Sequence, residues 1–157
     1  MIVLGIDPGI RSMGWAVIEK HDEALTLKEY GAIRPPLQCI PKRLAHIHKA
    51  LATIMEQCLP QCLVVEKIFV AKNPCSALTL GYARGVTMMT AALYGIAVQE
   101  YVATTVKQRL TGYGHASKDQ MIAMIERLFR IALAHDVADA VALAFCHCQE
   151  RGEITKK

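Results

Sequence analysis

The chain opens on Ile2-Val3-Leu4-Gly5-Ile6, a short apolar run that ends in Asp7 and meets Pro8-Gly9 at once. A run of this kind reads as a strand buried on both faces. The proline and glycine stop it, so Asp7 stands at the carboxyl end of a core strand. Cys62-Leu63-Val64-Val65-Glu66 repeats the pattern, again with an acid at the end. In open α/β sheets ligands bind outside the carboxyl ends of parallel strands. If these two strands are neighbours, Asp7 and Glu66 face one another there.

The remaining pattern fills in a sheet. Trp15 to Glu19 and Leu25 to Ile33 read as two further strands, close enough to the first for an antiparallel meander. Ile40, Leu44, Ile47, Leu51, Ile54, Met55 and Cys58 recur at helical steps, and Pro60 ends that helix. Ser76 is a candidate cap for a helix to about Tyr94, with Gly95 as its stop. Ile96 to Val102 is a fifth strand, and a short helix follows over 104–110. Ser117 and Gln120 fit a capping box for a helix from Lys118 to Arg130. Asp136 is placed to cap a last helix running from Val137 to about Gln149. The order predicts an α/β fold: a five-stranded mixed sheet, three antiparallel strands then two parallel, with helices on both faces. This is the strand order of ribonuclease-H-like folds, on one domain spanning 1–157.

Composition narrows the function classes. Hydrophobic residues make up 53% of the 157 and charged residues 20%, enough apolar surface for a core and too little charge for a disordered chain. Lys plus Arg number 18 against 14 for Asp plus Glu, a net +4 that permits nucleic-acid binding without demanding it. The longest uncharged stretch lies between Arg84 and Glu100 and contains Thr, Gly and Gln, which argues against a membrane span. The start of the chain lacks the basic region of a secretory signal, so a cytoplasmic protein with reduced thiols is expected. Cys58 and Cys62 are separated by Pro60, and Cys146-His147-Cys148 is too compact for a zinc site.

Asp136 and Asp139 are three apart at the start of an apolar helix and share a face. As a cap and a helix-dipole partner both have an ordinary structural explanation. Their helix is otherwise apolar, so it packs on the sheet and brings them to the edge that carries Asp7 and Glu66. Four converging carboxylates repel one another unless a cation sits among them. Hard oxygen donors suit Mg²⁺ or Mn²⁺, and a pair of such ions supports phosphodiester hydrolysis.

GIDPGIRSMGWAVIE at 5–19 resembles the opening motif of the RuvC family of Holliday-junction resolvases. VVEKIFVAKNPCSAL at 64–78 is similar to the family's second acidic motif and the loop after it. GYARGV at 81–86, VKQRLTGYGHASKDQM at 106–121 and DVADAVALAFCH at 136–147 resemble its remaining blocks, in order and at the family's spacing. The resemblance implies a homodimeric, Mg²⁺-dependent endonuclease that makes paired nicks in two strands of like polarity at a four-way DNA junction. It implies that Asp7, Glu66, Asp136 and Asp139 are the metal-binding acids, with two Mg²⁺ ions per site and Mn²⁺ able to substitute. Some members carry His at the position of Asp136; here all four are carboxylates. By the same resemblance Phe69 stacks on an unpaired base, Lys107 and Lys118 bear on DNA, and the RuvA–RuvB branch-migration complex is a partner.

The supporting residues also have independent readings. Phe69 lies in a Lys67–Asn73 loop beside Lys72, where a ring could stack on a base and the lysines could draw phosphates; a core phenylalanine under the loop fits the pattern equally well. Lys107 and Lys118 flank Gly112 and Gly114, and solvated helix surface is the alternative for both. Gly81 and Gly85 permit close approach of another backbone, either the chain's own sheet or a second copy. Two other functions stay open at this point. One is a catalytically silent junction-binding module. The other is an actin-like ATPase, suggested by Gly5-Ile6-Asp7-Pro8-Gly9 alone, although such proteins need a second domain.

Overall fold

A computed structural model describes residues 1–67 and 74–150. Its elements are β1 (Ile2–Asp7), β2 (Met13–His21), β3 (Ala24–Ile33), α1 (Ile40–Cys58), β4 (Cys62–Glu66), α2 (Pro74–Leu93), β5 (Ala97–Tyr101), α3 (Ala103–Thr111), α4 (Lys118–Phe129) and α5 (His135–Cys148). The sheet order is β3-β2-β1-β4-β5. β1 to β3 pair antiparallel, and β1, β4 and β5 run parallel. This is the ribonuclease-H-like arrangement expected from the sequence.

Strand alternation divides the core in two. Leu4, Ile6, Val17, Leu63 and Val65 pack under α1 and α2 with Ile47, Leu51, Met55 and Ala83. Val3, Ile18, Cys62 and Val64 pack under α3, α4 and α5 with Val106, Ile125, Val141 and Ala144. Asp7 and Glu66 fall in step with Val3 and Val64, so both project on the α5 side. Ile6 pairs with Val65 in the parallel register, and one step further sets Asp7 opposite Glu66.

Two glycines set the depth at which α5 lies. A Cβ on Gly5 would stand 2.1 Å from the Ala140 carbonyl oxygen, and one on Gly14 would stand 2.0 Å from that of Asp136. The helix backbone therefore rests directly on β1 and β2. At its far end Lys20 Nζ donates to the Cys148 carbonyl at 2.7 Å and Arg109 to the Cys146 carbonyl at 3.0 Å. These cations satisfy carbonyls that a helix end leaves without partners. Together the contacts fix α5 in depth and along its axis, and so place its amino-terminal acids.

Two expected caps are corrected. α2 begins at Pro74, so Ser76 lies inside its first turn; proline suits that position, because its missing N–H would be unpaired there anyway. α5 begins at His135 with Ala134 as N-cap and no side-chain cap bond, so Asp136 is not a cap. The capping box of Ser117 and Gln120 is present as read, and Arg130 ends α4 in a left-handed conformation (φ 56°). β2 runs longer at both ends than Trp15 to Glu19, because its pairing with β3 extends over 13–21. β5 is one residue shorter at each end than Ile96 to Val102.

Gly5→Ala places a methyl group against main chain that cannot turn aside. It should lower the urea midpoint by an amount equivalent to about 2–4 kcal/mol, measured by circular dichroism. An unchanged midpoint would contradict this packing.

Candidate active site

The edge formed by the carboxyl ends of β1 and β4 and the amino terminus of α5 carries the acids. Asp7 comes from β1, Glu66 from β4, and Asp136 and Asp139 from the first turns of α5. Beside them lies a cleft of about 300 Å³ lined by Glu66, Lys107, Lys118 and Asp139, with Val106, Met121 and Leu143 as its apolar wall. Lys107 comes from α3 and Lys118 from the start of α4. The two lysines reach the cleft from either side of the Gly112–Gly114 loop, where Gly112 takes the positive φ (79°) that ends α3.

Electrostatics show that the acids act on one another. Burial pushes the Asp7 carboxyl up to about 6; repulsion from Asp139, Glu66 and Asp136 adds to it, and Lys118 opposes it. Glu66 is also raised, first by burial and then by Asp139, against the pull of Lys107 and Arg84. Asp136 moves the other way, because hydrogen bonds from Arg34 and Ser12 stabilise its charged form. Arg34 donates to Asp136 Oδ2 at 2.9 Å and the Ser12 hydroxyl at 3.0 Å. Lys118 Nζ donates to Asp139 Oδ2 at 2.9 Å, and that bond raises the lysine.

The donor set fits a hard divalent cation. It is all carboxylate, it brings negative charge to a half-buried strand end, and burial first, then the neighbouring acids, raises two of its members. Among the described residues no three acids, histidines or cysteines are drawn together closely enough to enclose an ion. Cations of the protein itself hold two of the four: Arg34 on Asp136 and Lys118 on Asp139.

Six of the eight site residues expected from sequence meet at this edge: Asp7, Glu66, Asp136, Asp139, Lys107 and Lys118. Phe69 and Lys72 lie outside the described residues. Sequence reading missed Ser12, Arg34 and Arg84. Ser12 stands in the first motif block and Arg84 in GYARGV, but nothing local marks either as a partner of an acid so distant in the chain. Arg34, at the end of β3, carries no motif signal at all. His115 packs edge-on to Tyr113, with ring centroids 5.7 Å apart; neither it nor His135 is tied to the acids.

The raised Asp7 has a pH signature. Its folded form binds a proton more tightly than the unfolded chain does, so stability is greatest below the unfolded value near 3.8 and falls as pH climbs to about 6. In metal-free buffer at pH 7.5, Asp7→Asn should therefore exceed the parent in stability by about 1–2 kcal/mol, with the difference fading toward pH 4. Denaturant melts at the two pH values measure it; a variant no more stable than its parent at pH 7.5 would refute the assignment.

Comparison with known proteins agrees with this fold. The family model for crossover junction endodeoxyribonuclease RuvC matches residues 3–147. A RuvC of Paramagnetospirillum magneticum is 40% identical over 155 residues, covering 97% of this chain and 93% of the relative. One from Chloroflexus aggregans is 42% identical over 151 residues, covering 94% and 92%. The structure of Thermus thermophilus RuvC in complex with Holliday junction substrate superposes with a TM-score of 0.86 at 29% identity, covering 94% of this chain and 92% of that one. A match of this extent, across all five motif blocks and both halves of the sheet, places the chain in the RuvC family of crossover junction endodeoxyribonucleases.

Proposed function

We propose that the protein resolves Holliday junctions, nicking two strands of like polarity at symmetric positions and leaving 5′-phosphate and 3′-hydroxyl ends, in recombination and DNA repair. The observation that carries this reading is the meeting of Asp7, Glu66, Asp136 and Asp139 at one sheet edge in a chain of this family. The RuvC nucleases are metal-dependent. Here the four acids are the proposed ligands of two Mg²⁺ ions, with Mn²⁺ as a substitute. The four acids would hold these ions, whose positive charge would serve to activate a water and to stabilise a leaving oxygen.

The chain's own residues do the rest. Lys107 and Lys118 carry positive charge on the cleft wall and draw the scissile phosphate toward the acids. The apolar wall of Val106, Met121 and Leu143 keeps that phosphate in a medium where each charge acts more strongly than in water. Arg34 and Ser12 hold Asp136 charged and oriented until substrate and ions arrive. Phe69 and Lys72 are proposed to meet the DNA at the crossover, as the family resemblance implies.

A four-way junction has near two-fold symmetry, and a two-fold dimer would present two equivalent sites to it. The proposed interface is the outer face of α2. Leu78, Tyr82, Met89 and Leu93 are exposed there, and a Cβ on Gly81 or Gly85 meets nothing within 4 Å among the described residues. An unpartnered apolar stripe broken by glycines suits close approach of a second helix. Among the described residues no helix is long and apolar enough to cross a membrane. The setting we propose is the bacterial cytoplasm, with the RuvA–RuvB complex as partner and the whole span 1–157 as one domain. A catalytically silent junction binder would share the fold and the lysines, but it would have no use for four acids at one sheet edge.

With Mg²⁺ and a synthetic mobile four-way junction, the protein should give symmetric nicks. Asp7→Asn should bind the junction as tightly as its parent and cleave it at least about 10³-fold more slowly. Wild-type binding without cleavage at any Mg²⁺ or Mn²⁺ concentration would favour the silent module. Gly85→Glu on the α2 face should convert dimer to monomer in sedimentation while leaving the circular dichroism spectrum unchanged. A variant that stays dimeric would move the interface elsewhere.

A further inference from the structure

We propose that Arg84 is a positioning residue, holding the end of β4 so that the Glu66 carboxylate faces the cleft; this rests on the reading of the four acids given above. Arg84 lies on α2, with its side chain only 15% exposed. One guanidinium nitrogen donates to the backbone carbonyl of Glu66 itself. The other pairs with the Glu100 carboxylate on β5. The planar fork thus bridges the ends of two adjacent parallel strands, beside the Lys67 N–H that donates to the Tyr101 carbonyl at 2.8 Å.

Sheet pairing ends just past this point, with the Lys67–Tyr101 bond as its last. The β4–β5 register ends at Glu66 opposite Tyr101, and β1 has already ended at Asp7. The Glu66–Lys67 peptide is thus held on both sides, its N–H by the Tyr101 carbonyl and its carbonyl oxygen by Arg84, and the orientation of that peptide sets where the Glu66 side chain points. Lysine cannot replace this arrangement fully, because a single ammonium lacks the fork that reaches carbonyl and carboxylate together. The contact also ties α2 to the catalytic edge, so a shift of that helix would be felt at Glu66.

The test compares Arg84→Met, Arg84→Lys and the parent in two assays: Mn²⁺ binding followed by electron paramagnetic resonance, and single-turnover nicking of a four-way junction. Arg84→Met should weaken Mn²⁺ binding about tenfold and slow nicking by 10- to 100-fold, the range for partners that orient metal ligands. Junction affinity measured in Ca²⁺ should stay within about threefold of the parent, because Arg84 is not on the DNA-facing wall. Arg84→Lys should recover part of both losses. If the methionine variant does not fold, the lysine variant carries the test, with smaller losses expected in the same two assays. A folded variant with unchanged Mn²⁺ affinity would overturn the proposal, even if its melting temperature fell. A parent that binds Mn²⁺ but does not nick would overturn the resolvase reading and leave the Arg84 comparison intact. A parent that does neither would overturn both.

Discussion

At Gly5 and Gly14 the backbone of α5 lies as near the sheet as main chain can, and two of the four acids, Asp136 and Asp139, take their place from that contact. β1 and β4 end in carboxylates by strand alternation alone. They become part of a larger set because α5 crosses at main-chain distance with Asp136 and Asp139 in its first turns. A methyl group at either glycine would lift the helix and with it half of the negative charge. Lys20 and Arg109, bound to carbonyls at the other end of α5, keep the helix from sliding along its own axis. The core serves the site here by fixing the position of one helix.

The resulting charge is costly, and the structure shows how the cost is shared. Asp7 and Glu66 bear it as raised proton affinity. Asp136 and Asp139 are relieved by Arg34 and Lys118, at contacts of ordinary ion-pair length. Such half-exposed pairs contribute little to stability. Their effect is to orient the acids at an edge where charge is unfavourable. Lys118, one of these two cations, also lines the cleft beside Glu66 and Lys107.

Much of this was legible in the sequence, because strand ends and helix periodicity are local properties. The two apolar runs closed by acids gave Asp7 and Glu66, and the capping box at Ser117 gave the start of α4. The same locality explains the errors. Ser76 and Asp136 have good cap chemistry, but Pro74 opens α2 earlier and Ala134 already stands at the boundary of α5. Asp136 is then free to accept from Ser12 and Arg34, two partners more than a hundred positions away that no window could reveal. Arg84 was hidden in a different way. It sits between Gly81 and Gly85, whose spacing drew attention to backbone approach, while its own partners lie on β4 and β5.

The proposed chemistry requires side chains from β1, β4 and α5 to share one set of ions. The most direct measurement is a crystal of the protein grown with Mn²⁺, read by anomalous scattering at the manganese edge. The account predicts anomalous peaks about 2.2 Å from oxygens of Asp7 and Glu66, with Asp139 and Asp136 completing the set. Peaks at any other place in the molecule, with this edge bare and Arg34 and Lys118 still seated on their acids, would contradict it.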